Sequence, residues 1–310
     1  MTKERSFVNG WPFRYIGSMQ KIMPCLWFDG QAESAAKLYI SLFEDSGVQT
    51  VARYGEAGPG PKGSVMTVVF RLQGQDFMAL NGGPQFHFTP ATSFFVSCTT
   101  EAEIDRLWKE LSKDGSVFMD LARYPFSRKF GWTSDRFGVS WQLNLADQGK
   151  GISSFLMFVG KQHGKAEEAM SWYATLFKDS RIEQVARFGP GQGETEGTVM
   201  HARFSLSGCG FMAMDSAQDH KFTFTPAISF AVDCASQEEV DELWEKLSEG
   251  GAKGQCGWLD DRYGVSWQIV PTALRELMAD KDPARVNRVF AAMLKMTKLD
   301  IDGLRRAAKG

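Results

Sequence analysis

The sequence has no marked excess of either charge. Its 310 residues include 35 Lys and Arg against 37 Asp and Glu, a formal net charge of −2. Such a balance gives no electrostatic reason to expect nucleic acid or an anionic membrane as a partner. No apolar run approaches the roughly 18 residues of a membrane span, and the first twenty residues lack the apolar segment of a secretion signal. We therefore expect a cytoplasmic protein.

Cysteine and histidine are both scarce. The five cysteines are an odd number and form no CxxC pair, which argues against a disulfide framework. Cys98 and Cys234 end apolar stretches, so we expect buried free thiols there. The four histidines show no spacing such as HxxxH, and we expect them to be exposed or structural: His87, His163, His201 and His220.

Most of the sequence is present twice. FTPATSF at 88–94 returns as FTPAISF at 224–230, and DRFGVSWQ at 135–142 returns as DRYGVSWQ at 261–268. A repeat of well over about a hundred residues is too long for a solenoid unit and indicates two copies of one domain. The predicted division is a leader at 1–20, a first domain at 21–146, a second at 152–270 and a C-terminal helical extension at 271–310.

Each copy divides again into two modules, each a strand, a helix and three strands. Alternating apolar residues at 66–72 are typical of a strand with one buried face. Thr100 with Glu103, and Ser236 with Glu239, match the capping box at a helix start. In the extension, Asp282 before Pro283 predicts a further helix start. The pattern indicates an α+β fold with four such modules.

Several segments together resemble a known superfamily. They are KAEEAMSWYATLF at 165–177, FMAM at 211–214, FTPAISF at 224–230, DRYGVSWQIVPTAL at 261–274 and the tail VFAAMLKMTKLDID at 289–302. The chain after residue 20 resembles the vicinal oxygen chelate superfamily, which includes glyoxalase I and the bleomycin-resistance proteins. Within it, the sequence is most similar to the glyoxalase-like group labelled 3-demethylubiquinone-9 3-methyltransferase.

The resemblance implies a tandem pair of domains whose four βαβββ modules form cupped mixed sheets with helices outside. It also implies a ligand on the concave face. In many relatives a divalent metal there chelates two neighbouring substrate oxygens, whereas the bleomycin-resistance branch binds a drug without catalysis.

The positions that match the superfamily's metal ligands carry no His or Glu. In copy one they are Pro24, Ala79, Ala91 and Gln142, and in copy two Ser154, Ala213, Ala227 and Gln268. Alanine and proline side chains cannot donate to a metal, and a neutral amide alone is a weak ligand. The prediction is that neither a metal nor another cofactor is bound.

Alternation along the strands predicts which side chains share the concave face. The ligand-binding candidates are Asn81, Ser140, Gln142, His201, Arg203, Asp215, Ser266 and Gln268. Copy one would offer a small neutral lining that includes Thr67, Val69 and Ala79. Copy two would add the titratable trio His201, Arg203 and Asp215, with His201 and Asp215 as candidate catalytic residues. The alternative is that the trio forms a salt-bridged rim near solvent.

Three functions are therefore compared. The first is a metal-free protein that binds an apolar to aromatic small molecule in its cup. The second is a metal-dependent lyase, isomerase or dioxygenase of the same superfamily. The third, a methyltransferase, is disfavoured because the glycine-rich stretches at 58–63 and 189–194 lie between strands rather than before a helix. The sequence leaves open an internal pseudo-dimer or a homodimer.

Overall fold

The structure is a computed structural model that describes residues 20–147 and 149–310. The predicted leader, apart from Gln20, lies outside the described residues. In the described part of the chain no helix has the length and apolar character that crossing a membrane requires.

Four modules of one strand, one helix and three strands follow one another, as the sequence predicts. The first comprises β1 (Ile22–Phe28), α1 (Ala32–Leu42), β2 (Gly47–Arg53), β3 (Val65–Leu72) and β4 (Gln75–Asn81). The second comprises β5 (Thr92–Cys98), α2 (Glu101–Leu111), β6 (Ser116–Tyr124), β7 (Ser127–Ser134) and β8 (Ser140–Leu145).

The second copy repeats this order. Its first module comprises β9 (Gly151–Val159), a 3₁₀ turn (Gly160–Gln162), α3 (Ala166–Leu176), β10 (Arg181–Arg187), β11 (Val199–Leu206) and β12 (Cys209–Ser216). The last module comprises β13 (Ile228–Cys234), α4 (Gln237–Ser248), β14 (Ala252–Lys253), β15 (Trp258–Asp260) and β16 (Ser266–Pro271). The extension forms α5 (Thr272–Met278), α6 (Pro283–Met293) and α7 (Ile301–Lys309).

Local signals place the helix starts where the sequence predicts them. The hydroxyl of Thr100 accepts a hydrogen bond from the backbone N–H of Glu103, and Ser236 does the same for Glu239. These bonds satisfy backbone donors that a helix leaves free at its first turn. In α6 the Asp282 carboxylate accepts from the N–H of Ala284, with Pro283 in the first turn.

Each of the two eight-stranded sheets takes one module from each copy. Sheet A has the order β14-β15-β16-β13-β1-β4-β3-β2, and sheet B the order β10-β11-β12-β9-β5-β8-β7-β6. The modules join through antiparallel pairs, β1 with β13 and β5 with β9. The expectation of one lining per copy is therefore wrong: Thr67 shares a sheet with Gln268, and His201 shares a sheet with Gln142.

The hydrophobic cores, in contrast, follow the copies. One core packs α1 and α2 between the two sheet halves of copy one, and the other does the same with α3 and α4 in copy two. Phe77 of sheet A contacts Phe94 of sheet B with ring centroids 5.2 Å apart, and Phe211 of sheet B meets Phe230 of sheet A at 5.1 Å. The helix-covered faces thus pack on each other, and the other face of each sheet points away from the cores.

Both outward faces are curled into cups. Trp27 on β1 and Trp258 on β15 are separated by two strands, yet their ring centroids are 5.7 Å apart. Three steps across a flat sheet would separate them by about 14 Å. In sheet B, Phe95 on β5 and His201 on β11 are likewise two strands apart and 6.3 Å between centroids. These faces are the predicted cupped surfaces.

Candidate functional site: the two concave faces

The last strand of each cup points its polar residues inward. Ser140 and Gln142 of β8, and Ser266 and Gln268 of β16, alternate with residues of the helix-side cores, among them Trp141 and Trp267. Alternation in a strand sends neighbouring side chains to opposite faces, so these four side chains lie on the concave faces, as predicted.

A glutamine and a serine form the same hydrogen bond on both concave faces. Nε2 of Gln142 donates to Oγ of Ser93, and Nε2 of Gln268 donates to Oγ of Ser229, each at 2.9 Å. All four side chains are buried. Because the serine fixes the amide nitrogen, the amide carbonyl oxygen is the part directed to the concave space, where it can accept a hydrogen bond.

A tryptophan lies opposite each of these glutamines on the neighbouring strand. Trp132 of β7 pairs with Gln142 in sheet B, and Trp258 of β15 pairs with Gln268 in sheet A. The indole Nε1 of Trp132 donates to Oγ of Ser140 at 2.8 Å, which orients its ring. Serine, glutamine and tryptophan therefore recur at equivalent points of both cups.

His201 lies on the concave face of sheet B among aromatic rings. Its ring centroid is 6.3 Å from that of Phe95 and 6.4 Å from that of Phe155. Burial, followed by the charge of Arg203, lowers the pKa of this imidazole. The ring is therefore neutral near pH 7 and presents both a donor and an acceptor. Arg203 itself is largely exposed and lies 3.9 Å from Glu183, so it belongs to the rim.

Asp215 and Asn81 do not face the cups, which corrects the prediction for both. Asp215 has no exposed surface, and its carboxylate accepts hydrogen bonds from the backbone N–H groups of Gly164, Ala166 and Val199 at 2.8–3.1 Å. Asn81 accepts from the N–H of Ala32 at 2.9 Å. Both residues tie the end of a strand to the start of a helix. The trio of His201, Arg203 and Asp215 is therefore not assembled.

Most of the positions expected to hold a metal also point away from the concave faces. Ala79, Ala91 and Ala213 lie in the helix-side cores, Ala227 is buried, and Pro24 and Ser154 alternate with concave residues on β1 and β9. Their strands are buried on both faces, so apolar alternation could not show which set faces the cup. The concave positions are Cys25, Met78, Ser229 and Gln268 in sheet A, and Phe155, Met212, Ser93 and Gln142 in sheet B.

Neither of these sets fits the divalent metal that the superfamily implies. Burial raises the pKa of the Cys25 thiol to about 11, so it stays protonated. The other groups are a thioether, a phenyl ring, hydroxyls and amides, whereas hard and borderline cations need imidazole or carboxylate ligands. Across residues 20–147 and 149–310, no three His, Cys, Asp or Glu side chains converge as a metal site would require.

The remaining histidines line two surface clefts beside the loops. His163 and His220 share a cleft of about 320 Å³ with Asp219. His220 lies 3.0 Å from Oγ of Ser216. His87 borders a cleft of about 220 Å³ that also touches Trp27.

Two buried carboxylates begin the repeated segments at 135–142 and 261–268. Asp135 accepts hydrogen bonds from the Tyr39 hydroxyl at 2.7 Å and the Trp141 indole at 2.9 Å, and Asp261 accepts from Tyr173 at 2.6 Å and Trp267 at 2.9 Å. The recurrence of all three residue types in both copies was the available signal. These aspartates lie in the helix-side cores and lock each last strand to its first helix.

Paired βαβββ modules with curled mixed sheets define the class: a tandem glyoxalase-like protein of the vicinal oxygen chelate fold. The family model for 3-demethylubiquinone-9 3-methyltransferase matches the sequence twice, at residues 20–144 and 150–270. The chain belongs to that family.

Two solved structures are similar to this chain. A PhnB protein from Bacillus cereus, assigned to the same family, is 49% identical over 41% of this chain and 100% of its own, with a TM-score of 0.39. A glyoxalase I variant from Zea mays shares 8% identity over 81% of this chain and 94% of its own, with a TM-score of 0.53. At that identity the likeness shows the fold alone. No curated protein matches the sequence.

Proposed function

We propose that this protein binds a small, mainly aromatic molecule on its concave faces without a metal ion. The observation that carries the proposal is the glutamine–serine pair, which recurs with the same 2.9 Å geometry in both cups. An amide held in this way offers a fixed acceptor to a hydroxyl or amine of a ligand. The tryptophan opposite each glutamine offers an aromatic surface, which is the usual composition of a small-molecule site.

Sheet B adds features that favour an aromatic ligand. Phe95, Phe155 and the neutral His201 form one wall of its cup. Aromatic rings at such spacings favour offset or edge-to-face contact with a further ring. The imidazole can accept from, or donate to, a polar group on that ligand.

The two alternatives have less support. A metal-dependent lyase, isomerase or dioxygenase would need cation ligands that the concave positions do not supply. A methyltransferase, as the family description implies, would need a site for a methyl donor. The glycine-rich stretches at 58–63 and 189–194 lie in hairpin loops, between β2 and β3 and between β10 and β11.

Thermal unfolding with paired probes tests the proposal. The metal-stripped protein in EDTA is heated with 2-naphthol, which has a hydroxyl donor, and with naphthalene, which does not. We expect 2-naphthol to raise Tm and naphthalene to have a smaller effect, because only the first satisfies the amide carbonyl. A ligand at a hundred times its Kd stabilises by about 2.7 kcal/mol.

The matched variants are Gln142→Leu with Gln268→Leu, and Gln192→Leu on an exposed loop as control. In the Gln142→Leu/Gln268→Leu variant, 2-naphthol should no longer raise Tm more than naphthalene does. In the Gln192→Leu control, that difference in Tm should remain. Equal shifts by both probes in the unmodified protein, or a shift that requires added Mn²⁺ or Zn²⁺, would refute the proposal.

A further inference from the structure

The extension is anchored at one edge of sheet A. The N–H of Cys256 donates to the carbonyl of Met296 at 2.7 Å, and the N–H of Gly257 donates to that of Thr297 at 2.8 Å. Cys256 and Gly257 form the turn between β14 and β15. These two strands make one margin of the sheet. The segment just after α6 is therefore fixed to this margin by backbone hydrogen bonds.

The middle of α6 reaches the opposite edge. The Asn287 side chain packs directly on Gly55, so close that a Cβ at position 55 would collide with its Oδ1. Gly55 follows β2, which is the last strand at the far margin of sheet A. Because β1 and β13 are antiparallel, the β2–β3 and β14–β15 turns lie at opposite ends of the cup. The stretch from Asn287 to Thr297 consequently crosses the mouth of the cup diagonally.

The helix has one buried face and one face that is only partly covered. Val289 and Met293 join a cluster with Leu274, Leu299 and Leu304 of the extension. By helical spacing, the face that carries Asn287 also carries Ala291 and Leu294, and none of the three is buried. A helix seated on a solid core would bury such residues, so space remains beneath α6.

The floor below α6 is also incompletely filled. Trp27, Thr67 and Met78 on the concave face of sheet A remain half-buried. In sheet B the equivalents of Met78 and Cys25 are Met212 and Phe155, and both are buried in a concave cluster with Met157. The smaller Cys25 and Thr67, in place of Phe155 and His201, leave sheet A with the roomier cup.

We propose that the concave face of sheet A and the α6 roof enclose a binding chamber, while larger buried side chains leave less room in the cup of sheet B. This inference rests on the proposed function and assigns it to two unlike sites. The edge-to-face rings of Trp27 and Trp258 suit a compact, flat aromatic ligand, and Gln268 offers the acceptor for one hydroxyl or amine. A ligand enters this chamber only when α6 lifts from one of its anchors.

The reactivity of the Cys25 thiol tests whether α6 covers the chamber, and the test needs no ligand. Its side chain lies on the chamber floor, in hydrogen-bonding contact with Ser229 and Gln268. The experiment measures its rate of modification by methyl methanethiosulfonate in the folded full chain, with each cysteine resolved by peptide mass spectrometry. Gly55→Leu places a side chain where Asn287 now packs and should lift α6. Gly47→Leu, at the start of β2 where nothing lies within 4 Å of a Cβ, is the matched control.

We expect Gly55→Leu to increase the rate at Cys25 by roughly tenfold and Gly47→Leu to leave it unchanged. The Gly55→Cys/Asn287→Cys variant should slow it when oxidised and recover after reduction. Cys98, fully buried in a helix-side core, monitors general unfolding. The proposed chamber would be contradicted if the modification rate at Cys98 rose in parallel. It would also be contradicted if neither Gly55→Leu nor the disulfide changed the modification rate at Cys25. Since no ligand is used, this failure is distinct from a failure of binding itself.

Discussion

The amide nitrogen of Gln268 lies 2.9 Å from the hydroxyl oxygen of Ser229, the same distance that separates Gln142 from Ser93 in the other sheet. The surroundings differ, because Cys25 occupies in sheet A the place that Phe155 takes in sheet B. A buried pair that recurs in unlike surroundings fixes the direction of the amide carbonyl in both cups.

Ser93→Ala should lower both the stability of the protein and the ligand affinity of the cup of sheet B. It leaves the buried Nε2 of Gln142 without its acceptor, which costs about 1–3 kcal/mol of unfolding free energy. It also frees the amide to rotate, so 2-naphthol affinity should fall. Urea unfolding and calorimetric titration measure the two effects. Stability and affinity both equal to those of the unmodified protein would show that the bond does not orient Gln142.

His201→Ala should weaken ligand binding in the same cup, because it removes an aromatic wall and a polar partner together. His201→Phe separates the two contributions, since it keeps a ring and removes the nitrogens. The lowered pKa of His201 predicts an affinity that is flat above pH 6.5, where the imidazole is already neutral. An unchanged Kd in both variants would remove His201 from the site.

Asp215→Ala should destabilise the fold without a direct effect on the ligand. Three backbone N–H groups lose their acceptor in a fully buried place, and the expected loss is several kcal/mol at about 1–3 kcal/mol for each unsatisfied group. Where the variant remains folded, its Kd for 2-naphthol should equal that of the unmodified protein. A stable variant with weakened binding would return Asp215 to the concave site.

Asp215 and Asn81 occupy equivalent positions in the two copies. Their hydrogen-bond partners explain why one is an aspartate and the other an asparagine. Asp215 accepts from the N–H of Val199, whereas Nδ2 of Asn81 donates to the carbonyl of Val65. Asn81→Asp would place a carboxylate against that carbonyl, so it should destabilise more than an isosteric change on an exposed surface. Denaturant midpoints measure the loss, and Gln192→Glu on the exposed loop provides a control of similar chemistry.

The free energy of unfolding of the second copy should depend on pH because of Asp261. Burial, only partly offset by four hydrogen bonds, raises the pKa of this carboxyl from 3.8 to about 6. Between these values the folded chain holds a proton that the unfolded chain has lost, so stability falls as pH rises from about 4 to 6 and is level above. At 1.36 kcal/mol for each pH unit, the change is about 3 kcal/mol.

Asp261→Asn provides the comparison, because an amide does not titrate. The difference in unfolding free energy between the unmodified protein and the variant should shrink as pH rises through that window. Urea titrations at pH 4, 5, 6 and 7 measure it. A difference that grows with pH would mean that the donors from Tyr173, Trp267 and the turn hold the carboxyl ionised instead.

Much of the fold follows from the sequence. The repeat, the 3.6- and 2-residue periodicities and the capping residues Thr100, Ser236 and Asp282 predicted the modules and the helix starts. The facing of β8 and β16 was also predicted, because Trp141 and Trp267 alternate with polar residues. The facing of β1, β4, β9 and β12 was not, since strands apolar on both faces carry no alternation.

The sharing of sheets between copies could not be predicted from the residues either. Two similar copies can pair within themselves or across, and both arrangements bury the same apolar faces. Nor does a helical pattern at Pro283–Met293 reveal that the helix crosses a cup, since the evidence lies in contacts from Asn287 to Gly55 that are distant in sequence.

Calorimetric titration of 2-naphthol into the metal-stripped chain, before and after addition of Mn²⁺ or Zn²⁺, tests the central claim most directly. The account predicts the same Kd in both conditions and at least a tenfold weaker Kd in the Gln142→Leu/Gln268→Leu variant. Binding that appears only when the cation is restored would contradict it.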